Sequence, residues 1–438
     1  MSTQPTLLWV NHASFVLSYG AVRLMSDPWL FGSAFNNGWD LLCETQFTME
    51  DFHTITHLWF SHEHPDHFAP PVLQQIPEAA RRGITVIFQE TKDQKVIRYC
   101  RSLGFQVQEL PNHGWHGLRD NVRVMCGKVP YFDSWLLIET ENCKILNAND
   151  CVVDGDGVAQ EIARHTGTVD LLLTQFSYAN WIGNPEDVEE RRASAREKLR
   201  RVKLQIETFQ PTQTIPFASF VYFCHAENAY LNDAMNTIRD ATTFIAEKTA
   251  SQPIVLYPGE TWEVGQPHDN ERSLQRYDAD YDLGAKPLRQ AEPMDFTELQ
   301  QLSRQYIARM KGKNSALFMY LMSLPPLRYF QPFTLYLRDL NQMVRFDFTH
   351  GIQHSTAEPA TAEVTLAAES LAYVFKHDWG YDTLEVNGRF QATPTGHQKL
   401  VKNFFLGPLN NTGRYLHPRT LFEPSFMRRA LAKLRSLG

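Results

Sequence analysis

The 438-residue chain has a formal charge of −7, with 43% hydrophobic and 21% charged residues. That balance suits a globular protein long enough for two or three domains with ample core, and it excludes a disordered chain. The negative charge is spread out, leaving no basic footprint for nucleic acid, and no run approaches the roughly 18 apolar residues that argue for a membrane-crossing helix.

The opening Met1-Ser2-Thr3-Gln4-Pro5 lacks a basic n-region, so no signal peptide is expected and the protein reads as cytoplasmic. Residues 7–17 and 21–30 read as two strands joined by Ser18-Tyr19-Gly20, a hairpin turn in which Gly20 can take a positive φ. His57-Leu58-Trp59-Phe60 reads as a buried strand, and Ser61-His62-Glu63-His64-Pro65-Asp66-His67 follows at its carboxyl end. In an α/β sheet that end is where ligands and metals bind. Imidazole is the commonest transition-metal ligand. The H-x-H-x-D-H spacing puts His62 and His64 on one side of a tight turn and Asp66 and His67 on the other, a set suited to two adjacent cations.

Beyond this loop, residues 70–76 and 94–102 have helical spacing, while 84–88, 105–110, 122–126, 134–140, 144–147 and 170–174 read as strands. The alternation implies helices packed outside sheets. Six cysteines (Cys43, Cys100, Cys126, Cys143, Cys151, Cys224) form no C-x-x-C pair and predict neither a zinc ribbon nor a disulfide framework. The charged run 186–203 has i,i+4 pairing and reads as a solvated helix face. Residues 277–293 are polar and read as a linker between a unit at 1–290 and a second at 291–438. In the second unit, 296–310 and 368–376 read as helices, 316–322 and 333–338 as strands, and 343–348 alternates.

The Asp27-Pro28 step after the first strands, the H-x-H-x-D-H segment and the strand end Asn147-Ala148-Asn149-Asp150-Cys151 together resemble the metallo-β-lactamase superfamily. The resemblance implies an α/β fold, an αββα sandwich of two βαβ-like halves. It also implies that Asp27 supports the metal loop from behind its ligands and that Asp150 is a bridging carboxylate. Taken alone, Asp27 is an Asp-Pro turn and Asp150 an Asx-turn residue. The segments Asp27-Pro28-Trp29-Leu30-Phe31-Gly32, Asp133-Ser134, Asn147 to Cys151 and Gln175-Phe176-Ser177-Tyr178 are similar to the CMP-N-acetylneuraminate hydroxylase-like branch.

Two departures from that branch matter. The chain has no C-x-H or C-x-x-H pair, hence no Rieske module, and an oxygenase here would need a separate electron-donor protein. Phe132 stands where many relatives carry the third-motif His, leaving Asp133 as the nearest ligand. A carboxylate in that place hardens the donor set and favours iron or manganese over zinc. His225 falls near the superfamily's last metal His, with a loop or substrate-facing role as the alternative. His12 either touches the floor of the site from behind or is a hydrogen-bonded core residue.

The resemblance thus implies a non-haem diiron oxygenase or hydroxylase acting on a small polar substrate. His62, His64, Asp133 and Asp150 would hold one iron and Asp66, His67 and Asp150 the other, with Asp66 and Asp150 central to the chemistry. The alternative is a dinuclear zinc or manganese hydrolase of phosphodiester or acyl bonds. The order of elements in the tail is similar to a sterol-carrier-protein-like α+β fold. It reads either as a cover or apolar pocket for the active site, or as a packing or homodimerisation domain.

Overall fold

A tight turn at His12-Ala13 splits what reads in the sequence as one long strand. The computed structural model, which describes residues 4–129, 133–154, 157–324 and 328–418, places antiparallel strands Thr6–Asn11 and Ser14–Tyr19 on either side of it. His12 turns the chain with a φ of 37°, and Gly20 makes the next turn at 52°. Val22–Ser26 then closes a three-stranded meander.

From Val22–Ser26 the pairing switches to parallel, through His57–Trp59 and Thr85–Gln89 to Gln106–Leu110, while Thr261–Glu263 pairs on the far edge. The second seven-stranded sheet repeats the scheme. Trp115–Gly117, Arg123–Lys128, Ser134–Glu139 and Lys144–Asn149 are antiparallel neighbours, and Leu171–Gln175, Gln213–Phe217 and Gln252–Pro253 continue in parallel. Each sheet therefore has a single switch from antiparallel to parallel pairing, after Val22–Ser26 in one and after Lys144–Asn149 in the other.

Period-two alternation decides the layers. Leu7, Trp9, Phe15, Leu17, Leu24 and Trp59 point into a core shared with Leu136, Leu146, Leu172 and Ile215 of the second sheet. Their neighbours Val10, Val16, Met25, Leu58 and Val86 point outward, under Val72, Leu73, Val96 and Ile97 of the covering helices. Helices Val158–Thr166, Val188–Phe209 and Ile238–Lys248 cover the other sheet through Ile162, Val202, Ile206 and Ile245. The result is the αββα sandwich.

Two parts of the tail fold differently from their sequence reading. Residues 270–280, taken in part as linker, form helix Asn270–Asp280, because the Asp269 side chain caps its N-terminus and Leu274 and Tyr277 pin it to the core. The apolar run after Ser315 is helix Ala316–Ser323 and not a strand. Ser315 Oγ accepts from the Phe318 N–H, and the run holds Ala, Leu and Met but no β-branched residue.

Residues 299–416 have their own core around a five-stranded sheet in the order Gly351–His354, Gln342–Asp347, Phe333–Leu337, Val364–Leu366, Gln391–Ala392. This C-terminal unit is fastened to the sandwich by polar groups. Arg389, fully buried, donates to Glu227 at 3.1 Å, to Glu369 at 2.8 Å and to the Asn36 carbonyl at 2.6 Å. Trp181 stacks on Phe390 with centroids 4.7 Å apart, and its backbone N–H donates to the Glu385 carbonyl at 2.8 Å.

Arg389→Ala strands two carboxylates in that interface. Urea unfolding is expected to show a loss of about 3–5 kcal/mol, the range for breaking a buried ion pair from one side.

Candidate metal centre

Both switch strands end at the same place, the crevice beyond their carboxyl ends where α/β sheets bind ligands. At the end of Val22–Ser26, Asp27 has a φ of 37° and donates its N–H to the Trp59 carbonyl at 2.9 Å. Its fully buried carboxylate accepts from Ser61 N at 2.8 Å, Ser61 Oγ at 2.9 Å and Asn149 Nδ2 at 3.0 Å, and lies 3.1 Å from His67 Nδ1. A proton on His67 Nδ1 in that contact leaves Nε2 free for a cation.

The 61–67 loop is closed by His67 N and Phe68 N donating to the His64 carbonyl at 3.0 and 2.7 Å. His62 Nε2 and His64 Nδ1 lie 2.8 Å apart on one side, and Asp66 Oδ2 lies 3.2 Å from His67 Nε2 on the other. From the opposite sheet, Asp150 Oδ2 comes within 3.7 Å of His62 Nε2 and 3.6 Å of His67 Nε2, between the two sides.

Two groups of donors result among the described residues: His62, His64 and Asp150, and His12, Asp66 and His67. His12 Nε2 sits 3.3 Å from Asp66 Oδ2, so this residue, expected behind the site or as a hydrogen-bonded core residue, lies beside the candidate ligands Asp66 and His67. The signal in the sequence was a histidine at the tip of a two-residue turn, disguised as mid-strand.

Asp133 Oδ1 lies 3.6 Å from His62 Nδ1, on the side of the ring away from Asp150, and falls in neither group. Phe132 lies outside the described residues. His225 is not brought to the centre. Its Nδ1 accepts from Glu227 N at 3.1 Å and its N–H donates to Asn228, because the strand before it, Val221–Phe223, pairs with Trp39–Leu41 and leads toward the C-terminal unit.

The donor set fits a cation. Asp66 Oδ1, His67 Nε2, Asp150 Oδ1 and His12 Nδ1 are buried without a hydrogen-bond partner, and each such atom is costly to leave unsatisfied. Burial drives His62 down to about 3 and lowers His64 as well, so both imidazoles keep lone pairs to offer. Burial acts to lower His67 too, yet Asp66, Asp150 and Asp27 raise it well above its ordinary value. The carboxylates thus hold a proton where a cation would displace it. All the donors are nitrogen and oxygen, which suits iron, manganese or zinc.

A chamber of about 860 Å³ opens onto these residues, walled by Phe35, Trp39, Lys198 and Gln175 of the sandwich and roofed by Trp379 and Arg414 of the C-terminal unit. Lys198 was read as part of a solvated face. It lies instead on the inner side of helix Val188–Phe209, where burial brings its ammonium down to about 8 and it donates to Gln175 Oε1. Its helix is charged on more than one face, so charge periodicity could not single it out. Among the described residues, no helix is long and apolar enough to cross a membrane.

Residues 6–126 match the beta-lactamase superfamily domain. Over 245 residues the chain is 28% identical to the cytidine monophosphate-N-acetylneuraminic acid hydroxylase of Danio rerio, covering 52% of this chain and 40% of that protein. The Macaca mulatta hydroxylase is 26% identical over 280 residues, covering 59% and 46%. The chain thus spans about half the length of the relatives it matches. Among solved structures, CmlA, a diiron β-hydroxylase from Streptomyces venezuelae, superposes with a TM-score of 0.43 at 17% identity, covering 60% of this chain and 55% of that one. The family match over residues 6–126 and the hydroxylase relatives bear out the resemblance to the metallo-β-lactamase superfamily and to its CMP-N-acetylneuraminate hydroxylase-like branch.

Asp27→Ala releases His67 from its orienting partner. Chelator competition is expected to show metal affinity reduced by about 10–100-fold, the usual effect of removing such a support, whereas His225→Ala leaves it unchanged.

Proposed function

We propose that this chain is a dinuclear metal-dependent hydroxylase acting on a small polar substrate, with electrons delivered by a separate protein. The observation that carries the reading is the placement of Asp150 Oδ2 between His62 Nε2 and His67 Nε2, at 3.7 and 3.6 Å, with a donor group on each side. The hydroxylase names of the sequence relatives support oxidation over hydrolysis. Iron bound there would supply the redox chemistry by which dioxygen is activated.

His62, His64 and Asp150 would hold one ion and His12, Asp66 and His67 the other, with Asp150 reaching toward both. Ser61 Oγ, 2.9 Å from His62 Nδ1, orients that ring, and Asp133, 3.6 Å from the same nitrogen, would be the nearest further carboxylate ligand. Phe35, Trp39 and Trp379 give the chamber apolar walls, while Lys198 and Gln175 present polar groups that can orient a substrate. Burial pushes the Asp382 carboxyl in the roof up to about 7, so near neutrality it can donate as well as accept a hydrogen bond.

The same donors would also suit zinc or manganese, which would supply a hydrolytic water in place of oxidation. The two readings part in one experiment. A reduced, iron-loaded sample mixed with oxygen is expected to consume dioxygen and change its visible absorbance, and both effects should vanish in Asp66→Ala. Iron protein inert to oxygen, beside a zinc or manganese form that cleaves phosphodiesters or esters, would make the chain a hydrolase.

A further inference from the structure

Phe35, Asn36 and Asn37 are three successive residues in the left-handed region, with φ of 50°, 52° and 56°. A run of this kind is disfavoured for residues with a Cβ and persists only where its surroundings over-determine it. Here every carbonyl of the turn is held from outside. Asn387 Nδ2 donates to Phe35 O at 3.0 Å and Arg389 Nη1 to Asn36 O at 2.6 Å, both from the C-terminal unit. Cys224 Sγ donates to Asn37 O at 3.3 Å and Asn228 Nδ2 to Gly38 O at 2.9 Å. The same Asn228 Nδ2 donates to the Asn387 carbonyl at 2.6 Å, joining the two sets of grips. Gly38 fits only as glycine, since a Cβ there would lie 2.4 Å from Asn387 Cβ.

The gripped turn delivers one side chain to the metal centre. The Phe35 ring is buried, packs on Trp39 at 4.5 Å and stands nearly perpendicular to the His64 imidazole, with centroids 5.5 Å apart and planes at 71°. A cavity of about 200 Å³, lined by Phe35 itself and by His64, Tyr373, Trp379 and Asp382, adjoins the imidazole, so a smaller side chain at position 35 enlarges the space into which His64 can swing. His64 is also only part-buried, unlike His62 and His67.

We infer that the C-terminal unit completes the metal centre from a distance: by gripping the 35–38 turn through Asn387 and Arg389 it holds Phe35 against His64, and Phe35 is the positioning residue that keeps this imidazole facing His62 and Asp150. The inference rests on the reading that His62, His64 and Asp150 hold one of two ions. It gives the C-terminal unit a role in the site beyond roofing the chamber.

The test is a titration of metal-free, full-length protein with Co(II), followed by visible absorption, with thermal unfolding recorded in parallel. Wild type is expected to take up two equivalents. In Phe35→Ala one equivalent is expected to bind at least about tenfold more weakly, as when the support of a ligand is lost, while the other is unaffected. Asn387→Ala, which leaves the ring in place but frees the turn, is expected to weaken the same equivalent, and Phe35→Leu to restore most of it by bulk. Two equivalents of unchanged affinity in both variants, or equal weakening of both equivalents in step with a lower Tm, would overturn the inference. Wild type that binds no Co(II) would instead remove the metal reading beneath it and the inference with it.

Discussion

Everything at this centre depends on one buried carboxylate. Asp27 could not sit in the interior as a bare anion, since burying an unpaired charge is prohibitive. It is tolerated because Ser61, His67 and Asn149 all turn polar groups toward it. Those groups come from the metal loop and from the facing sheet, so the same contacts that stabilise the charge fix the distance between the sheets at their carboxyl ends. Hydrogen bonds to charged groups contribute about 1.5–3 kcal/mol each, enough to hold this junction rigid. His67 and the loop backbone then need no separate scaffold, because they are already bound to the hub.

The repeated sheet order explains why the hub can reach both halves. Each sheet changes from antiparallel to parallel pairing once, and the two changes face each other across the core. Asp27 follows one switch strand and Asp150 the other. The arrangement leaves strain at its margin, where left-handed backbone costs about 1–2 kcal/mol per residue with a Cβ, somewhat less for Asn. That strain lies in the 35–37 turn, where side chains from the C-terminal unit offset it.

The sequence carried the metal loop and Asp150 openly, because ligand residues at strand ends stand out against apolar runs. Asp27 was legible from its place before Pro28. What could not be read were placements set by contacts distant in sequence. His12 hid in an apparently continuous strand, since a two-residue turn with a left-handed histidine leaves no glycine or proline behind. Lys198 hid among the charges of its helix. His225 pointed to the centre by its order in the chain, but strand pairing with Trp39–Leu41 carried it toward Glu227 and Arg389. In the tail, the helix 316–323 was misread because a short run of Leu, Met and Phe has no periodicity that separates strand from helix. The likeness of the sandwich's two halves came only with the family resemblance, being one of strand order and not of residues.

The grip of Asn387 on Phe35 spans 352 positions and that of Arg389 on Asn36 spans 353. Closing loops of that length is slow, and domains made early in synthesis tend to fold before later ones exist. The sandwich can therefore assemble around its carboxylate hub while the turn beside the metal loop, held by Cys224 and Asn228, still waits for Asn387 and Arg389. A segment made early is thus locked late, and a centre whose candidate ligands all lie before residue 151 depends for its finished form on residue 389.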